Sequence, residues 1–505
     1  MASDLRERTI SGVGWSAVSQ LVTQSFTFVI SIVLSRILGP SVFGLIGMIS
    51  VFTGFALLFG GLGLGAAIIQ RKELQEAHLN AAFWANTIAG SVMALFMAAL
   101  APVVAWFYRE PRLTLLTAVI ASRFVLDALT GVQVALLTRA MRFRALAVVQ
   151  IGSSVISGLV GLGMALYGMG VWSLVAQGLC SSVVQLVFSW RLTDWRPRWS
   201  FEWRACKELF GFSASVVAFD VLNYWARTLD RLLIGRLVGA SALGIYSRAY
   251  TLMLLPLSQV SRVVGGVMFP AMSVIQDDKT RVRRAYLKAI GVIGFITFPT
   301  MVGLFAVADH FVLALLGSKW SETIPILELF CWVGLIQSIL ATVGWIYTSQ
   351  GKTRLYLGMG VIGTVACVVA FFIGIKWGLM GVAWSYSLTT VLVLYPFFAV
   401  PGRLIGLSFT EAMKSLSATF LCSVVMGATV WGAGRLLPAD LAHWQFLAVQ
   451  VPLGVASYFT LVAGFKVSTW LEVRSMVAEL LGGRLGVVLP LLRRLGLLKR
   501  SPVAE

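Results

Sequence analysis

Five arginines and three aspartates lie well inside long apolar stretches of the sequence. A charged side chain near the centre of a bilayer costs about 2.5–3.5 kcal/mol on insertion scales, so such residues normally face protein or water and serve a function. The planar guanidinium of arginine binds phosphate through paired, charge-assisted hydrogen bonds. Because arginines outnumber aspartates here, the set favours an anionic ligand. Its members are Arg123, Arg227, Arg231, Arg248, Arg262, Asp127, Asp220 and Asp230.

Some of these charges are spaced to form pairs along a helix. Arg123 and Asp127 stand at i and i+4, and Asp230 follows Arg227 by three residues. Such pairs either hold a ligand or lock neighbouring helices together, and Arg248 could instead extend its charge to a membrane interface. The aspartates could serve a coupling proton or sodium ion, or only compensate charge. Scattered cysteines and distant histidines predict no metal site and no other cofactor.

The first apolar stretch carries a polar stripe that recurs two hundred residues later. The stripe falls within about 100° at 3.6 residues per turn. Its members are Ser16, Gln20, Thr23, Gln24, Thr27 and Ser31. Adding 200 to five of these positions gives Asp220, Asn223, Tyr224, Arg227 and Arg231. The second stripe therefore has the same helical phase but is charged. The amide and phenol groups of Gln20, Gln24, Asn223 and Tyr224 would suit the hydroxyls of a sugar.

A short turn motif obeys the same offset. Its first copy is Arg36, Gly39, Ser41 and Gly44, and its second copy is Arg236, Gly239, Ser241 and Gly244. Agreement of the turn and the stripe predicts a parallel internal repeat, as in transporters built from two similar halves around a central site. Gly39 and Gly239 are expected to let the chain turn tightly, and the arginines of the motif to anchor at the interface.

Composition places these elements in a membrane. Of the 505 residues, 58% are hydrophobic and only 12% are charged, about half the usual charged fraction of a soluble domain. Apolar windows long enough to cross a bilayer recur throughout and should each be helical. Fourteen spans are predicted, at 11–38, 43–69, 80–107, 113–137, 145–167, 171–190, 209–238, 242–271, 286–308, 323–350, 355–375, 377–400, 412–436 and 443–465.

Most lysines and arginines outside the spans fall in the even-numbered connections and the termini. The positive-inside rule therefore predicts that both termini are cytoplasmic, and basic loops beside an anionic leaflet account for most of the net charge of +19. Nucleic acid is not an expected partner. The first lobe is predicted at 11–191 after a short tail at 1–10, and the second at 209–400 after a cytoplasmic linker at 192–208. Two extra spans fill 401–465, and 466–505 is interpreted as a basic amphipathic tail, with a partly disordered tail as the alternative.

Two segments resemble signatures of a known family. The stretch "LSRILGPSVFGLIGM" is similar to the first-loop signature of Wzx-type polysaccharide flippases. These belong to the MOP superfamily, together with MATE drug exporters and lipid II flippases. The stretch "LNYWARTLDRLLIGRLVGASALGIYSRAY", Leu222 to Tyr250, resembles the polysaccharide-transport branch, which contains exporters of colanic acid and related exopolysaccharides. The basic tail matches no pattern of the family.

The resemblance implies an all-α, MATE-like or MurJ-like protein of the bacterial inner membrane. It would move an undecaprenyl-pyrophosphate-linked oligosaccharide from the cytoplasmic to the periplasmic leaflet, with polysaccharide polymerase and export machinery as further partners. Arg123, Arg227 and Arg231 would neutralise the pyrophosphate, while two lobes rock about the site. A MATE-like drug antiporter is the first alternative, although its cavity should be acidic. A polytopic glycan polymerase or ligase is the second, although it would need a larger outer loop than this chain offers.

Overall fold

The computed structural model describes residues 2–60, 64–71, 73–200, 202–203, 214–438 and 440–474. Within these ranges the regular structure is helical, as the continuous apolar stretches predict. Seventeen α-helices, α1 to α17, span Ala2–Ile37, Pro40–Gly60, Leu64–Gln70, Glu76–Tyr108, Arg112–Arg139, Phe143–Leu166, Val171–Leu192, Ala214–Leu237, Ala240–Val274, Lys279–Ala306, Ala308–Leu315, Thr323–Leu340, Val343–Ser349, Thr353–Gly374, Gly378–Leu404, Phe409–Leu436 and His443–Gly464.

Twelve stretches of the described chain are long and apolar enough to cross a membrane. One of them, Thr353–Leu404, contains both α14 and α15, which a 3₁₀ turn at Ile375–Trp377 separates. Helix α8 is not among the twelve, because its 24 residues include five charged ones. The predicted all-helical membrane architecture is thus confirmed, whereas the count of fourteen spans and the internal repeat stay predictions.

Two predicted spans contain more than one helix. The span predicted at 43–69 contains α2 and α3, and its residues 61–63 lie outside the described part of the structure. The span predicted at 323–350 breaks into α12 and α13. At that break the Tyr286 hydroxyl lies 2.8 Å from Thr342 Oγ1, and Thr342 Oγ1 also donates to the Ile339 carbonyl at 2.6 Å. These side-chain hydrogen bonds stabilise a buried turn in place of continuous helix.

The described chain divides into two compact units. The first contains α1 to α8 with three later segments, 240–249, 315–324 and 364–385. Its main helix pairs are α4 with α5, α6 with α7, and α1 with α6. Ile30 and Leu34 of α1 are buried against Ala165 of α6. This packing fixes the side of α1 that faces its neighbours.

The second unit contains 250–314, 325–363 and the chain from Tyr386 onward. Helix α10 packs against α16, and α16 against α17. The Tyr458 hydroxyl donates to the Phe295 carbonyl at 2.8 Å in the buried part of this unit. Two histidines from distant parts of the sequence also meet here, with 3.1 Å between Nδ1 of His310 and Nδ1 of His443.

Basic side chains cap helix ends in the first unit by donating hydrogen bonds to backbone carbonyls. Carbonyl groups in the last turn of a helix have no partner within the helix. Arg139 donates through Nη1 to the carbonyls of Ile68 and Arg71 at the end of α3, at 2.7 and 2.5 Å. Arg142 donates to the Leu192 carbonyl at the end of α7, at 3.0 Å. Basic residues of the predicted cytoplasmic loops therefore also order the backbone.

The two copies of the turn motif meet in the first unit. A Cβ added at Gly44 would lie 1.7 Å from the Ala240 carbonyl oxygen, and one added at Gly244 would lie 2.0 Å from the Pro40 carbonyl oxygen. The second glycine of each copy therefore faces the first helical residue of the other copy. Small residues allow such close backbone approach between membrane helices. Of the two turn glycines, Gly239 has a positive φ of 111°, as a tight turn predicts.

Candidate functional site

The predicted pair of Arg123 and Asp127 is present on α5. Arg123 Nε lies 3.2 Å from Asp127 Oδ2, and the Ser182 hydroxyl of α7 donates to Asp127 Oδ1 at 2.8 Å. The carboxylate is thus held from both sides, by its own helix and by a neighbour. The Arg123 side chain remains 48% exposed near the middle of α5. A half-exposed arginine side chain on a membrane-spanning helix is available to an anionic ligand.

Asp230 on α8 is tied to the start of α9. Its Oδ2 accepts a hydrogen bond from the buried Tyr246 hydroxyl at 3.0 Å, and its Oδ1 accepts from the Arg231 backbone N–H at 2.7 Å. Sequence spacing predicted Arg227 as the partner of Asp230. The side chain of Arg227 lies outside the described part of the structure, so that pair stays a prediction. Arg231 itself is half-buried.

Arg248 on α9 is held by hydroxyls and aromatic rings. Its Nη1 donates to Ser31 Oγ at 2.8 Å and its Nη2 to Ser35 Oγ. The guanidinium carbon lies 4.5 Å from the centre of the Phe43 ring and 5.5 Å from that of Trp320. Among the described residues, no carboxylate forms an ion pair with this guanidinium. The structure thus places Arg248 in a protein pocket and gives no support to the alternative of an extended interfacial side chain.

The other predicted residues do not form one cluster in the described part. The Tyr224 hydroxyl donates to the Val51 carbonyl of α2 at 2.6 Å, which is a helix-packing contact. Gln20 is exposed and Gln24 is half-buried on α1, while Arg262 is exposed on α9, in the second unit. The side chains of Asp220, Asn223 and Arg227 lie outside the described residues.

Several contact residues were missing from the sequence-based set. They are Ser35, Phe43, Ser182, Tyr246 and Trp320. One signal could have found Ser35, since it continues the first-span stripe by one turn beyond Ser31. Ser182 and Trp320 carry no local signal, because their partners are distant in the sequence. Contacts of this kind become visible only when the helices are packed.

A family model described as "Polysaccharide biosynthesis protein" matches residues 33–325. This stretch is more than half of the chain and includes both copies of the turn motif. The chain belongs to this family. The resemblance to Wzx-type polysaccharide proteins, inferred from two short segments, is thereby confirmed, and the protein is a multi-pass membrane protein of polysaccharide biosynthesis and transport.

Relatives of the family align over most of the chain. The teichuronic acid biosynthesis protein TuaB of Bacillus subtilis is 26% identical over 91% of this chain and 96% of its own length. The lipopolysaccharide biosynthesis protein WzxC of Escherichia coli is 27% identical over 87% of this chain and 90% of its own. Among solved structures, an inward closed conformation of the lipid II flippase MurJ matches with a TM-score of 0.68 at 13% identity, covering 90% of this chain and 98% of that one. At that identity the likeness shows the fold, which is MurJ-like.

Proposed function

We propose that this protein is a flippase that moves an undecaprenyl-pyrophosphate-linked oligosaccharide from the cytoplasmic to the periplasmic leaflet, for exopolysaccharide, capsule or O-antigen synthesis. The observation that carries the proposal is the half-exposed side chain of Arg123 near the middle of a membrane-spanning helix, with its guanidinium paired to Asp127. The planar guanidinium of arginine binds phosphate groups through paired, charge-assisted hydrogen bonds. Membership of the family and the MurJ-like fold support the same conclusion.

The proposed cycle involves no covalent chemistry. The pyrophosphate enters from the cytoplasmic side and is neutralised by Arg123, with Arg227 and Arg231 as further contributors, while the lipid tail stays in the bilayer. Polar side chains such as Gln20, Gln24 and Asn223 then contact the glycan. Alternating access exposes the site to the opposite leaflet. A proton or sodium gradient is proposed to drive the exchange through Asp127, Asp220 or Asp230.

The decisive experiment compares two ion-paired arginines of the same helix. Arg123 pairs with Asp127 near the middle of α5, whereas Arg112 pairs with Glu110 at its beginning, with Nε 2.7 Å from Glu110 Oε1. Arg123→Ala should lower glycan export at least tenfold and cause lipid-linked oligosaccharide to accumulate, while Arg112→Ala should export normally. Normal export by an Arg123→Ala variant that is present at the parent's level in the membrane would refute the role of Arg123.

Two further experiments address the remaining parts of the proposal. A double variant, Arg227→Ala with Arg231→Ala, should abolish export, and normal export at a normal protein level would exclude these arginines from the binding site. Reporter fusions at Gly168 and Lys279 should report the periplasm and the cytoplasm, respectively. A reversed result would overturn the proposed orientation, in which the protein lies in a bacterial inner membrane with both termini on the cytoplasmic side.

A further inference from the structure

A short segment from the last residue of α11 to the second residue of α12 contacts the end of α1 in the first unit. We call this segment, Leu315–Ile324, the strap. The Trp320 side chain is fully buried, and its Nε1 donates to the Ser35 carbonyl at 2.8 Å. Lys319 Nζ donates to the Ile37 carbonyl at 3.1 Å, and Arg36 Nε donates back to the Leu315 carbonyl at 2.9 Å. Two of these hydrogen bonds satisfy carbonyls of the last turn of α1, which would otherwise lack partners.

Arg248 connects the strap to helices α1 and α2. Its guanidinium contacts the rings of Trp320 in the strap and Phe43 in α2, and its two Nη atoms bond Ser31 and Ser35 of α1. Neutral hydroxyls and ring faces are weaker partners for a cation than a carboxylate or a phosphate. Within the described part of the chain the guanidinium is held in this way, and an anion that binds it more strongly can replace these partners.

The polar stripe of α1 extends to the Arg248 guanidinium. Ser31 belongs to the polar stripe of α1, which continues toward the beginning of the helix through Thr27, Gln24 and Gln20. Gln20 is exposed and Gln24 half-buried. By the positive-inside argument, the end of α1 and the strap both lie on the outer side of the membrane. The stripe thus runs from the middle of the membrane to an outer contact that Arg248 maintains.

We propose that the strap is a latch on the outer side and that Arg248 is its anion-sensitive catch. This inference rests on the proposed function. An anionic head group that reaches Arg248 replaces Ser31 and Ser35 as its partner and withdraws the guanidinium from the Trp320 ring. Trp320 then leaves the end of α1, and the outer side opens only when cargo is present. The latch would couple opening to the pyrophosphate and not to the lipid tail.

The test uses a reporter cysteine within the strap. Leu316 is 1% exposed, so a thiol at this position should be protected while the strap is seated. The five native cysteines (Cys180, Cys206, Cys331, Cys367 and Cys422) are first replaced by serine in the full chain. Leu316→Cys is then added, and the protein is reconstituted in nanodiscs. The measured quantity is the rate of maleimide labelling, with undecaprenyl pyrophosphate or with uncharged undecaprenol in the lipid.

Undecaprenyl pyrophosphate should raise the labelling rate at least threefold over undecaprenol. Arg248→Gln should raise the rate without any added lipid and remove the difference between the two lipids. Arg435→Gln is the matched control, because Arg435 also stacks on a tryptophan, 3.9 Å from the Trp431 ring centre, but lies in α16; it should behave like the parent. Equal rates with both lipids in the parent, or an unchanged basal rate in Arg248→Gln, would overturn the proposal.

A second variant covers the case in which Arg248→Gln fails to fold. Ser35→Ala removes one hydrogen bond from Arg248 and leaves the Ser35 carbonyl that accepts from Trp320. It should raise basal labelling in the same direction but less, and a folded Ser35→Ala protein with parental labelling would count against the catch. The outcomes separate the two proposals. Glycan export that continues in cells lacking this protein would refute the proposed function. Normal export by a protein whose labelling rate does not respond to undecaprenyl pyrophosphate would refute the latch alone.

Discussion

Replacing Gly44 by alanine should separate two helix ends that are in backbone contact. The new Cβ would lie 1.7 Å from the Ala240 carbonyl oxygen, whereas ordinary van der Waals contact begins at 3.4 Å. Helices α2 and α9 would therefore have to part by about 1.7 Å at this point. Because the atom that is met is backbone, no side-chain rotation can relieve the overlap. Overpacking a well-packed core costs about 1–3 kcal/mol, and we expect Gly44→Ala to reach the upper end of that range.

The matched control is a glycine with free space around it. A Cβ added at Gly163 in α6 would meet no atom within 4 Å, and alanine stabilises a helix interior by about 0.5–1 kcal/mol relative to glycine. Gly44→Ala and Gly163→Ala should thus differ by about 3–4 kcal/mol in the free energy of unfolding, since the two changes act in opposite directions. The assay is the apparent thermal midpoint in detergent, followed by fluorescence-detected gel filtration.

The reciprocal position provides an internal check. Gly244→Ala should destabilise the protein like Gly44→Ala, because its Cβ would lie 2.0 Å from the Pro40 carbonyl oxygen. The double variant should cost less than the sum of the two single variants, since helices parted by the first alanine already accommodate much of the second. A thermal midpoint of Gly44→Ala equal to that of Gly163→Ala would show that these helix ends do not touch as described.

Three other predictions concern polar contacts. Ser182→Ala leaves Asp127 Oδ1 without its donor, so export should fall several-fold at an unchanged protein level; unchanged export would show that this hydroxyl does not position the pair. Tyr246→Phe removes the hydroxyl that donates to Asp230, and leaving a buried acceptor unsatisfied should cost about 1–3 kcal/mol in thermal unfolding. Burial lowers the pKa of His310 below its ordinary value of 6.5, so the unfolded chain binds more protons below that pH. Stability should therefore fall as pH is lowered from 7.5 to 5.5, and His310→Phe should show a smaller fall.

The spacing of residues in the sequence predicted the side-chain contacts that lie within a single helix. The Arg123–Asp127 pair follows from an i, i+4 spacing that any α-helix brings together, and it is present. The helical class followed from continuous apolar runs, because a backbone in lipid must satisfy its own hydrogen bonds. The break between α12 and α13 did not follow, since it depends on a hydroxyl of Tyr286 that is 56 residues from Thr342 in sequence.

Tertiary contacts account for the remaining differences. Sequence spacing assigned Tyr224 to substrate binding, yet its hydroxyl bonds a backbone carbonyl of α2. Arg248 was recognised as an unusual charge, but its partners come from α1, α2 and the strap, which no periodicity connects. The 200-residue offset predicted that Gly44 and Gly244 are equivalent. That the two equivalent positions would pack against each other's helix is information about assembly, which a repeat alone does not contain.

The reciprocal glycine contact has the form of an isologous interface. In a two-fold symmetric homodimer, residue i of one subunit contacts residue j of the other, and j contacts i in return. Here Gly44 faces Ala240 and Gly244 faces Pro40 within one polypeptide, so a single chain contains the kind of self-complementary patch that otherwise joins two. The two patches are encoded at different positions of one gene, so each can change separately. A larger residue at 44 would then be compensated by changes around Ala240, and not by a matching change at 244.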